Sequence, residues 1–397
     1  MRRRGIISLF ALVAAGSASA QLSVYESEPN NTPAEANPIR GEVLVSGSMQ
    51  KGDQDGYMWT VSDNDARKRW TFELQGTPGR LTIAEVVRVE FADNGSDVAG
   101  VQRVMKMGTR DGLAPVIQRD LIFEPGEYLI GIADAGGGSQ EGGVVFRPPS
   151  GTLSFAESGS PETGDGSALA QVAEPGGYRL SIREGSRLTV SKNPGPRESR
   201  EAAQAIRVGS EFATFETLET SWYAFSFNEK EATQRWDIPV QAPVGRNLEA
   251  ALFDENGEQL SSASSDDMGR LSFADLAPKA ATYYVELAAK SPGFIHAIAS
   301  TAVGQRVAGE EAEPNDEWRF ANHVDLSQPL TGRISKTGEW DFFRFALDEA
   351  TTDQVLNLRL DTEPTGQALE LCLLGDDKTR VQCRREKSPV ELPDLVL

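Results

Sequence analysis

The chain has 397 residues and a formal net charge of −20 at pH 7, with 59 acidic side chains against 39 basic ones. A chain this acidic lacks the basic surface that nucleic acids need and is repelled by anionic membranes, so we expect neither partner. Its length predicts two to four domains of ordinary size. Strong negative charge attracts divalent cations, although it equally serves solubility.

The N-terminus has the pattern of a secretory signal peptide over residues 1–20. Basic residues 2–4 precede an apolar run at residues 6–15, and Ala18-Ser19-Ala20 forms a small-residue cleavage site before Gln21. The apolar run is too short to span a bilayer, with an uncleaved anchor as the alternative. We therefore expect a chain exported to the periplasm or the extracellular space, without a membrane span after cleavage.

Segments in which apolar and polar residues alternate recur along the chain, among them residues 57–61, 222–227 and 343–347. Alternation puts every second side chain on the same face of a strand. Turn residues such as Glu124-Pro125-Gly126 separate these segments at short intervals. The pattern predicts an all-β chain of tandem antiparallel β-sandwich domains of jelly-roll-like type.

The aromatic residues of these segments have two interpretations, a buried core or a platform for carbohydrate. The residues concerned are Tyr57, Trp59, Trp222, Phe225, Phe227, Trp340, Phe343 and Phe345. Their alternation favours the core. We expect Trp340 to be the exception, because it lies in an acidic turn outside the strand.

Two distant stretches begin alike, with ESEPNN at residues 26–31 and EAEPND at residues 311–316. Each is followed by a glycine and then by a related segment, GDQDGYMW at residues 52–59 and GEWDFFRF at residues 338–345. Internal repetition predicts an array of similar domains. Such arrays are more often binding or accessory modules than enzymes.

We divide the mature chain into three predicted modules, at residues 21–184, 185–304 and 305–397. The first contains a stretch near residues 133–173 that is rich in glycine, serine and acidic residues and predicts a long surface insertion. The third ends before the turn and strand that close the other two. We expect the native polypeptide to continue past Leu397, with a short final domain docked on its neighbour as the alternative.

The succession Glu-x-Glu-Pro-Asn, a glycine turn and then Gly-Asp-x-Asp with alternating aromatics resembles the bacterial pre-peptidase C-terminal domain. The second module matches weakly, since Asn193-Pro194-Gly195 and Glu219-Thr220-Ser221 replace the two acidic motifs. The resemblance implies small β-sandwiches that accompany exported enzymes and serve secretion, localisation or substrate binding. It also implies that some modules hold calcium, and it supplies no catalytic residue.

Oxygen-bearing side chains of the repeated motifs are candidate calcium ligands, because calcium takes six to eight oxygen ligands. The candidates are Glu28, Asn30, Asp53 and Asp55 in the first module and Glu313, Asn315, Glu339 and Asp341 in the third. The alternative is that these side chains only cap their own turns. The second module lacks the acids, and we predict that it binds no calcium.

Cys372 and Cys383 are the two cysteines of the chain. They flank an apolar run and a group of turn residues, which is typical of a hairpin. In an oxidising compartment this arrangement predicts a cross-strand disulfide, with two free thiols as the alternative. A metal site built on them would need further cysteine or histidine residues nearby.

The sequence carries no catalytic motif. His296 lies in an apolar run that predicts a strand, and His323 lies on a loop or short strand. A Gly-x-Ser-x-Gly elbow, a phosphate-binding Gly-x-x-x-x-Gly-Lys loop and a His-Glu-x-x-His zinc motif are all absent from the sequence. We therefore expect a non-catalytic array that assists localisation, folding or recognition of extracellular polymers.

Two other functions stay open. The chain could be the N-terminal part of a secreted, peptidase-like hydrolase whose catalytic domain lies beyond residue 397. It could also be a structural protein of the cell envelope whose C-terminal anchor lies beyond that residue.

Overall fold

A computed structural model describes residues 21–49, 53–91, 98–134, 146–147, 154–155, 176–192, 194–334, 339–347, 355–363 and 366–396. The predicted signal peptide and most of the predicted insertion near 133–173 lie outside these residues. Within the described part of the chain, no helix combines the length and the apolar character that crossing a membrane requires.

The described residues form strands joined by turns, so the prediction of an all-β chain is confirmed. The strands are β1 Leu22–Tyr25, β2 Asn37–Arg40, β3 Val43–Met49, β4 Gln54–Val61, β5 Lys68–Gln75, β6 Thr82–Phe91, β7 Val98–Thr109, β8 Val116–Leu121, β9 Gly126–Asp134, β10 Phe146–Arg147, β11 Ser154–Phe155, β12 Gly176–Arg187, β13 Val190–Ser191, β14 Gln204–Ile206, β15 Glu211–Glu216, β16 Thr220–Ser226, β17 Gln234–Gln241, β18 Leu248–Phe253, β19 Gln259–Ser264, β20 Arg270–Leu276, β21 Thr282–Ala289, β22 Phe294–Ala299, β23 Thr301–Gln305, β24 Asn322–His323, β25 Phe343–Arg344, β26 Val355–Leu360, β27 Ala368–Leu374, β28 Arg380–Lys387 and β29 Val390–Val396. Short 3-10 turns lie at Asp65–Arg67, Arg200–Ala202, Glu231–Thr233 and Trp318–Phe320.

The chain forms two compact units. The first takes in the residues up to Val307 together with Ala312–Pro314, and the second takes in Ala308–Glu311 and the residues from Asn315 onward. The finer division into three modules at residues 21–184, 185–304 and 305–397 stays a prediction.

The first unit begins with two five-stranded sheets, which we name the N-terminal sheet pair. Their strand orders are β1-β3-β12-β5-β8 and β2-β4-β9-β6-β7. Apolar side chains of both sheets share one buried core. At its centre the ring of Trp59 meets Trp70 and Phe123 edge to face, with centroid distances of 5.0 Å each. Such aromatic pairs stabilise a core beyond their area burial.

A second set of strands in the same unit repeats this plan, and we name it the middle sheet pair. Its sheets have the orders β13-β15-β22-β17-β20, with β23 also paired to β17, and β14-β16-β21-β18-β19. Apart from β23, each strand takes the place of a strand in the N-terminal sheet pair, in the same sequence order. The weak sequence match of the second module therefore conceals the same succession of strands.

The prediction of purely antiparallel sheets is wrong at the sheet edges. β1 pairs with β3 and β2 with β4 in parallel register, and β13 with β15 and β14 with β16 do the same. The chain alternates between the two sheets at these points, so that β3 lies in the other sheet between β2 and β4. This intervening crossover returns the chain in its original direction, as a parallel pair requires.

The two sheet pairs of the first unit are joined by direct contacts. The Val244 amide donates to the Ile122 carbonyl oxygen at 2.9 Å. Beside it, the largely buried Glu124 carboxylate accepts hydrogen bonds from Arg88 and Arg246, one from each sheet pair. Because a buried carboxylate requires charged partners, this pairing ties the two sheet pairs together.

In the second unit, the described residues form three two-stranded sheets, β24-β25, β26-β29 and β27-β28. Its buried cluster consists of Leu373, Leu392 and Leu395, with Phe345 among the half-buried residues against it. Cys372 and Cys383 face each other across β27 and β28 and form a disulfide, their Cα atoms lying 4.1 Å apart. The predicted cross-strand disulfide is confirmed.

Candidate metal centre

Three carboxylates converge at the entry of the N-terminal sheet pair. Oxygen atoms of Glu26, Glu28 and Asp55 lie within 4.8 Å of one another. Glu26 directly follows β1, and Asp55 is the second residue of β4. The Gly56 amide donates to the Asn30 carbonyl oxygen at 2.9 Å, which brings the Glu-Pro-Asn segment against the start of β4.

Backbone and hydroxyl donors orient the two glutamates. Glu26 Oε1 accepts hydrogen bonds from the Ser48 amide at 2.8 Å and from the Ser48 hydroxyl at 2.7 Å. Its second oxygen, Oε2, is buried and meets no hydrogen-bond donor among the described residues. Glu28 Oε2 accepts from the Asn30 amide at 3.0 Å. These fixed donors hold the carboxylates in place while leaving oxygen atoms directed into the cluster.

Gly47 makes room for this arrangement. A Cβ atom at this position would collide with Glu26 Oε2 and with the Tyr178 hydroxyl. That hydroxyl lies 2.5 Å from the hydroxyl of Tyr57 in the core below the cluster. A larger residue at position 47 would therefore displace Glu26 from the site.

Asp55 has no exposed surface, and its pKa is raised to about 8. Burial is the largest cause, a hydrogen bond with Tyr178 opposes it, and the negative charges of Glu26 and Asp53 raise the pKa further. The site therefore favours either a proton on Asp55 or a cation among the carboxylates.

The predicted ligands of the first module take different positions at this site. Glu28 and Asp55 belong to the cluster, and Asp53 lies close enough to raise the pKa of Asp55. Asn30 is fully buried, and its backbone amide and carbonyl take part in the hydrogen bonds that shape the entry segment. Sequence reasoning missed Glu26, although this residue opens the repeated Glu-x-Glu-Pro-Asn motif.

The second unit contains a related cluster. Carboxylate oxygens of Asp316, Glu339 and Asp341 lie within 4.8 Å of one another. The Phe342 amide donates to the Asn315 carbonyl oxygen at 3.0 Å, as Gly56 does to Asn30 in the first unit. The predicted candidates Glu339 and Asp341 thus lie together, and the sequence analysis missed Asp316.

Two further details of the first cluster recur in the second unit. Glu311 accepts a hydrogen bond from the Arg333 amide, as Glu26 does from Ser48. A Cβ atom on Gly332 would collide with Glu311, the same constraint that Gly47 meets. Glu313, which was predicted as a ligand, belongs to the first unit, where its carbonyl oxygen accepts from the Ala277 amide at 2.9 Å.

The middle sheet pair has a buried ion pair at the equivalent place. The Trp222 amide donates to the Arg197 carbonyl oxygen at 2.8 Å, which matches the bond between Gly56 and Asn30. The Tyr223 hydroxyl lies 2.7 Å from His296 Nε2, which matches the contact between Tyr57 and Tyr178. By the same correspondence Ser221 occupies the position of Asp55. The acid is thus replaced by a neutral side chain.

Arg197 supplies the positive charge of this site. Its guanidinium is 1% exposed and donates to Glu216 Oε1 at 3.0 Å. Glu216 also accepts from the Ser221 hydroxyl at 2.7 Å and from the Leu218 amide at 3.0 Å. Burial raises the pKa of Glu216, but the charge interaction with His296, these donors and Arg197 together lower it below its ordinary value.

The structure corrects two of the predicted core aromatics. Trp222 is half-buried on the outer face of β16, because Tyr223 and Phe225 point into the core and neighbouring residues of a strand face opposite sides. Phe343 is 39% exposed. Trp340 is 43% exposed, as its position in a turn predicts.

The remaining aromatics lie in or against a core. Tyr57, Trp59, Phe225 and Phe227 are buried, and Phe345 packs against the apolar cluster of the second unit. His296 lies in β22 and is buried, and its pKa is lowered to about 4, chiefly by burial. His323 lies in the short strand β24.

No protein-family model and no curated protein sequence match the chain. Among solved structures, the pre-peptidase C-terminal domain of collagenase from Bacillus anthracis matches with a TM-score of 0.21 and 16% identity, over 26% of this chain and 96% of that one. The exported protein XepA of PBSX matches with a TM-score of 0.17 and 9% identity, over 65% of this chain and 84% of that one. The tandem CBM22-1-CBM22-2 domain of Paenibacillus barcinonensis Xyn10C matches with a TM-score of 0.16 and 10% identity, over 65% and 82%. These are likenesses, and none assigns the chain to a family.

Proposed function

We propose that the chain is a non-catalytic array of jelly-roll-like β-sandwich modules in which two entry motifs bind a divalent cation, calcium first of all. The observation that carries the proposal is the convergence of Glu26, Glu28 and Asp55, which recurs as a second carboxylate cluster at Asp316, Glu339 and Asp341. Calcium prefers oxygen ligands of this kind.

The electrostatics of the first cluster support a cation. Three carboxylates within 4.8 Å repel one another, and burial of Asp55 strengthens that repulsion. A cation offsets both costs and displaces the proton that Asp55 otherwise retains at neutral pH. Binding then releases a proton and strengthens as the pH rises.

We propose an accessory role for the array: localisation, folding support or recognition of extracellular polymers by an exported protein, in the periplasm or outside the cell. The disulfide between Cys372 and Cys383 supports an oxidising compartment. Ser221, Glu216 and His296 lie together, but each is at most 3% exposed, so a substrate has no access to them. This burial supports a structural rather than a catalytic role for that group.

Thermal unfolding of residues 21–397 tests the cation sites. The melting temperature is expected to be higher in millimolar calcium than in chelator, because a ligand that binds only the folded state stabilises it. Asp55→Asn should remove part of the shift, and the double variant Asp55→Asn/Asp341→Asn should remove all of it. Asp63→Asn, which changes an exposed acid in the turn after β4, should retain the full shift. Equal melting temperatures in calcium and chelator would overturn the proposal, and so would a full shift in the double variant.

A further inference from the structure

An aromatic group lies on the outer face of the middle sheet pair. Trp222 on β16, Phe253 on β18 and Tyr284 on β21 are each half-buried and point away from the core. The rings of Trp222 and Phe253 have centroids 5.1 Å apart and an angle of 37° between their planes. The guanidinium of Arg200 lies over the ring of Tyr284, 5.6 Å from the ring centre.

A shallow depression of about 240 Å³ adjoins the aromatic group on the same sheet. Its floor consists of small side chains, including Ala251, Ala288 and Ser262, and it is bordered by Glu249 and Glu286. Strand pairing sets Glu286 opposite Trp222 on one side and opposite Ala251 on the other. The aromatic rings, the carboxylates and the open floor therefore form one continuous surface.

The two carboxylates of this surface are available for a ligand. Neither Glu249 nor Glu286 takes part in a salt bridge found among the described residues. Burial alone raises the pKa of Glu286, with no cationic side chain acting against it. Ionised carboxylates are strong acceptors for hydroxyl donors.

Among the residues that the structure describes, the equivalent sheet of the N-terminal sheet pair shows no such surface. There the adjacent residues Leu129 and Ile130 of β9 are both fully buried, so both faces of that strand are covered. Gly56 takes the position that Trp222 has in the middle sheet pair, as the matching backbone hydrogen bonds show. The open aromatic face is therefore particular to the middle sheet pair, and the shared fold does not require it.

We propose that this face binds a neutral polysaccharide, with a sugar ring stacked on Trp222, which Phe253 packs against, and with hydroxyl groups of the polymer donating to Glu249 and Glu286. The proposal rests on polymer recognition as part of the proposed function and names the polymer class and the face. Apolar C–H faces of a sugar fit flat aromatic rings, and hydroxyl groups fit carboxylate acceptors.

Charge and shape favour this ligand over the others. The net charge of −20 and the two carboxylates repel anionic polymers, nucleic acids among them. Protein–protein interfaces typically place aromatic anchors in deep, desolvated pockets. The floor here is shallow and consists largely of alanine and serine, which argues against a protein partner. A linear chain of hydroxylated rings matches both the stacking surface and the shallow polar floor.

Affinity electrophoresis of residues 21–397 tests the proposal, with hydroxyethylcellulose, mixed-linkage β-glucan, arabinoxylan and glucomannan as neutral probes and polygalacturonate as the anionic one. At least one neutral polymer is expected to retard the protein, and polygalacturonate is not. Trp222→Ala should weaken the retardation at least tenfold, and Glu286→Gln should weaken it several-fold without removing an aromatic ring. Trp340→Ala, which removes an exposed tryptophan of the second unit, should leave it unchanged.

Each outcome decides a separate point. Absence of retardation by all four neutral polymers overturns the proposal. Retardation that persists at full strength in both Trp222→Ala and Glu286→Gln also overturns it, while polymer recognition through another surface then remains. The calcium-dependent melting shift, measured in Trp222→Ala and Glu286→Gln, is expected to survive. If the parent protein binds glycan but shows no calcium-dependent melting shift, the proposed cation sites are contradicted and the glycan site is not.

Discussion

The N-terminal and middle sheet pairs share the same succession of strands. They differ in the charged side chains that lie at one equivalent position. In the N-terminal sheet pair, Glu26, Glu28 and Asp55 converge into a cluster of carboxylates. In the middle sheet pair, Arg197 extends into the equivalent place and pairs with Glu216. On our proposal, one fold accommodates a site that binds a cation from solution and a site whose positive charge comes from an arginine of the chain. The proposed need for a metal then depends on a few side chains and not on the topology.

The largest expected effect comes from removing the internal cation. Arg197→Met leaves Glu216 buried without its partner and should lower the free energy of unfolding by about 3–5 kcal/mol. Urea unfolding followed by tryptophan fluorescence measures the loss. Arg207→Met, at an exposed position, serves as the control. A loss below 1 kcal/mol would show that the ion pair is not what stabilises the middle sheet pair.

A substitution at Gly47 tests the acidic cluster of the N-terminal sheet pair. Gly47→Ala places a methyl group against Glu26 and Tyr178 and should destabilise the protein by about 1–3 kcal/mol while weakening the calcium-dependent melting shift. Thr214, which pairs with His296 as Gly47 pairs with Tyr178, shows that a side chain fits where the acidic cluster is absent. Gly177→Ala meets only an ordinary contact at 3.5 Å and is the control. If the calcium-dependent melting shift is unchanged in Gly47→Ala, Glu26 is not a ligand of the proposed cation.

The pKa of Asp55 makes a pH-dependent prediction for the protein in chelator. The folded state retains a proton that the unfolded state releases near the ordinary pKa of 3.8, and it loses that proton only near pH 8. Between these values stability should therefore fall as the pH rises, by up to about 1.4 kcal/mol per pH unit.

Unfolding titrations at pH 6 and pH 7.5 measure this slope. Calcium should flatten it, because a bound cation keeps Asp55 ionised in the folded state, and Asp55→Asn should remove its contribution. A slope that is the same in Asp55→Asn and in the parent protein would assign the effect to another group.

The smallest expected effect concerns the tyrosines beneath the two sites. Tyr223→Phe removes the hydroxyl that contacts His296, and Tyr57→Phe removes the one that contacts Tyr178. Each should cost about 0.5–1.5 kcal/mol, the usual net value of one hydrogen bond. Calorimetric melting with and without calcium compares them. If Tyr57→Phe abolished the calcium shift, the hydroxyl would have to act on the cluster itself.

Local pattern was enough to predict part of the candidate site. Glu28 and Asp55 could be named because the repeated motif marks them, and Glu339 and Asp341 for the same reason. Glu26 and Asp316 belong to the same motifs. The local sequence, however, does not distinguish an acid whose side chain points into a carboxylate cluster from an acid that caps a turn. That distinction depends on hydrogen bonds such as the one from Ser48 to Glu26, which join segments distant in sequence.

The amino-acid sequence alone predicts that the chain is all-β, that Cys372 and Cys383 lie opposite each other, and that two entry motifs are related. These features follow from alternation, turn residues and spacing, which act over a few residues. Three other features become visible only in the folded chain: the edge strands run parallel, Arg197 meets Glu216, and Trp222 faces outward. These depend on which strands pair and in which register, and a shift of one residue in register turns every side chain of a strand to the opposite face.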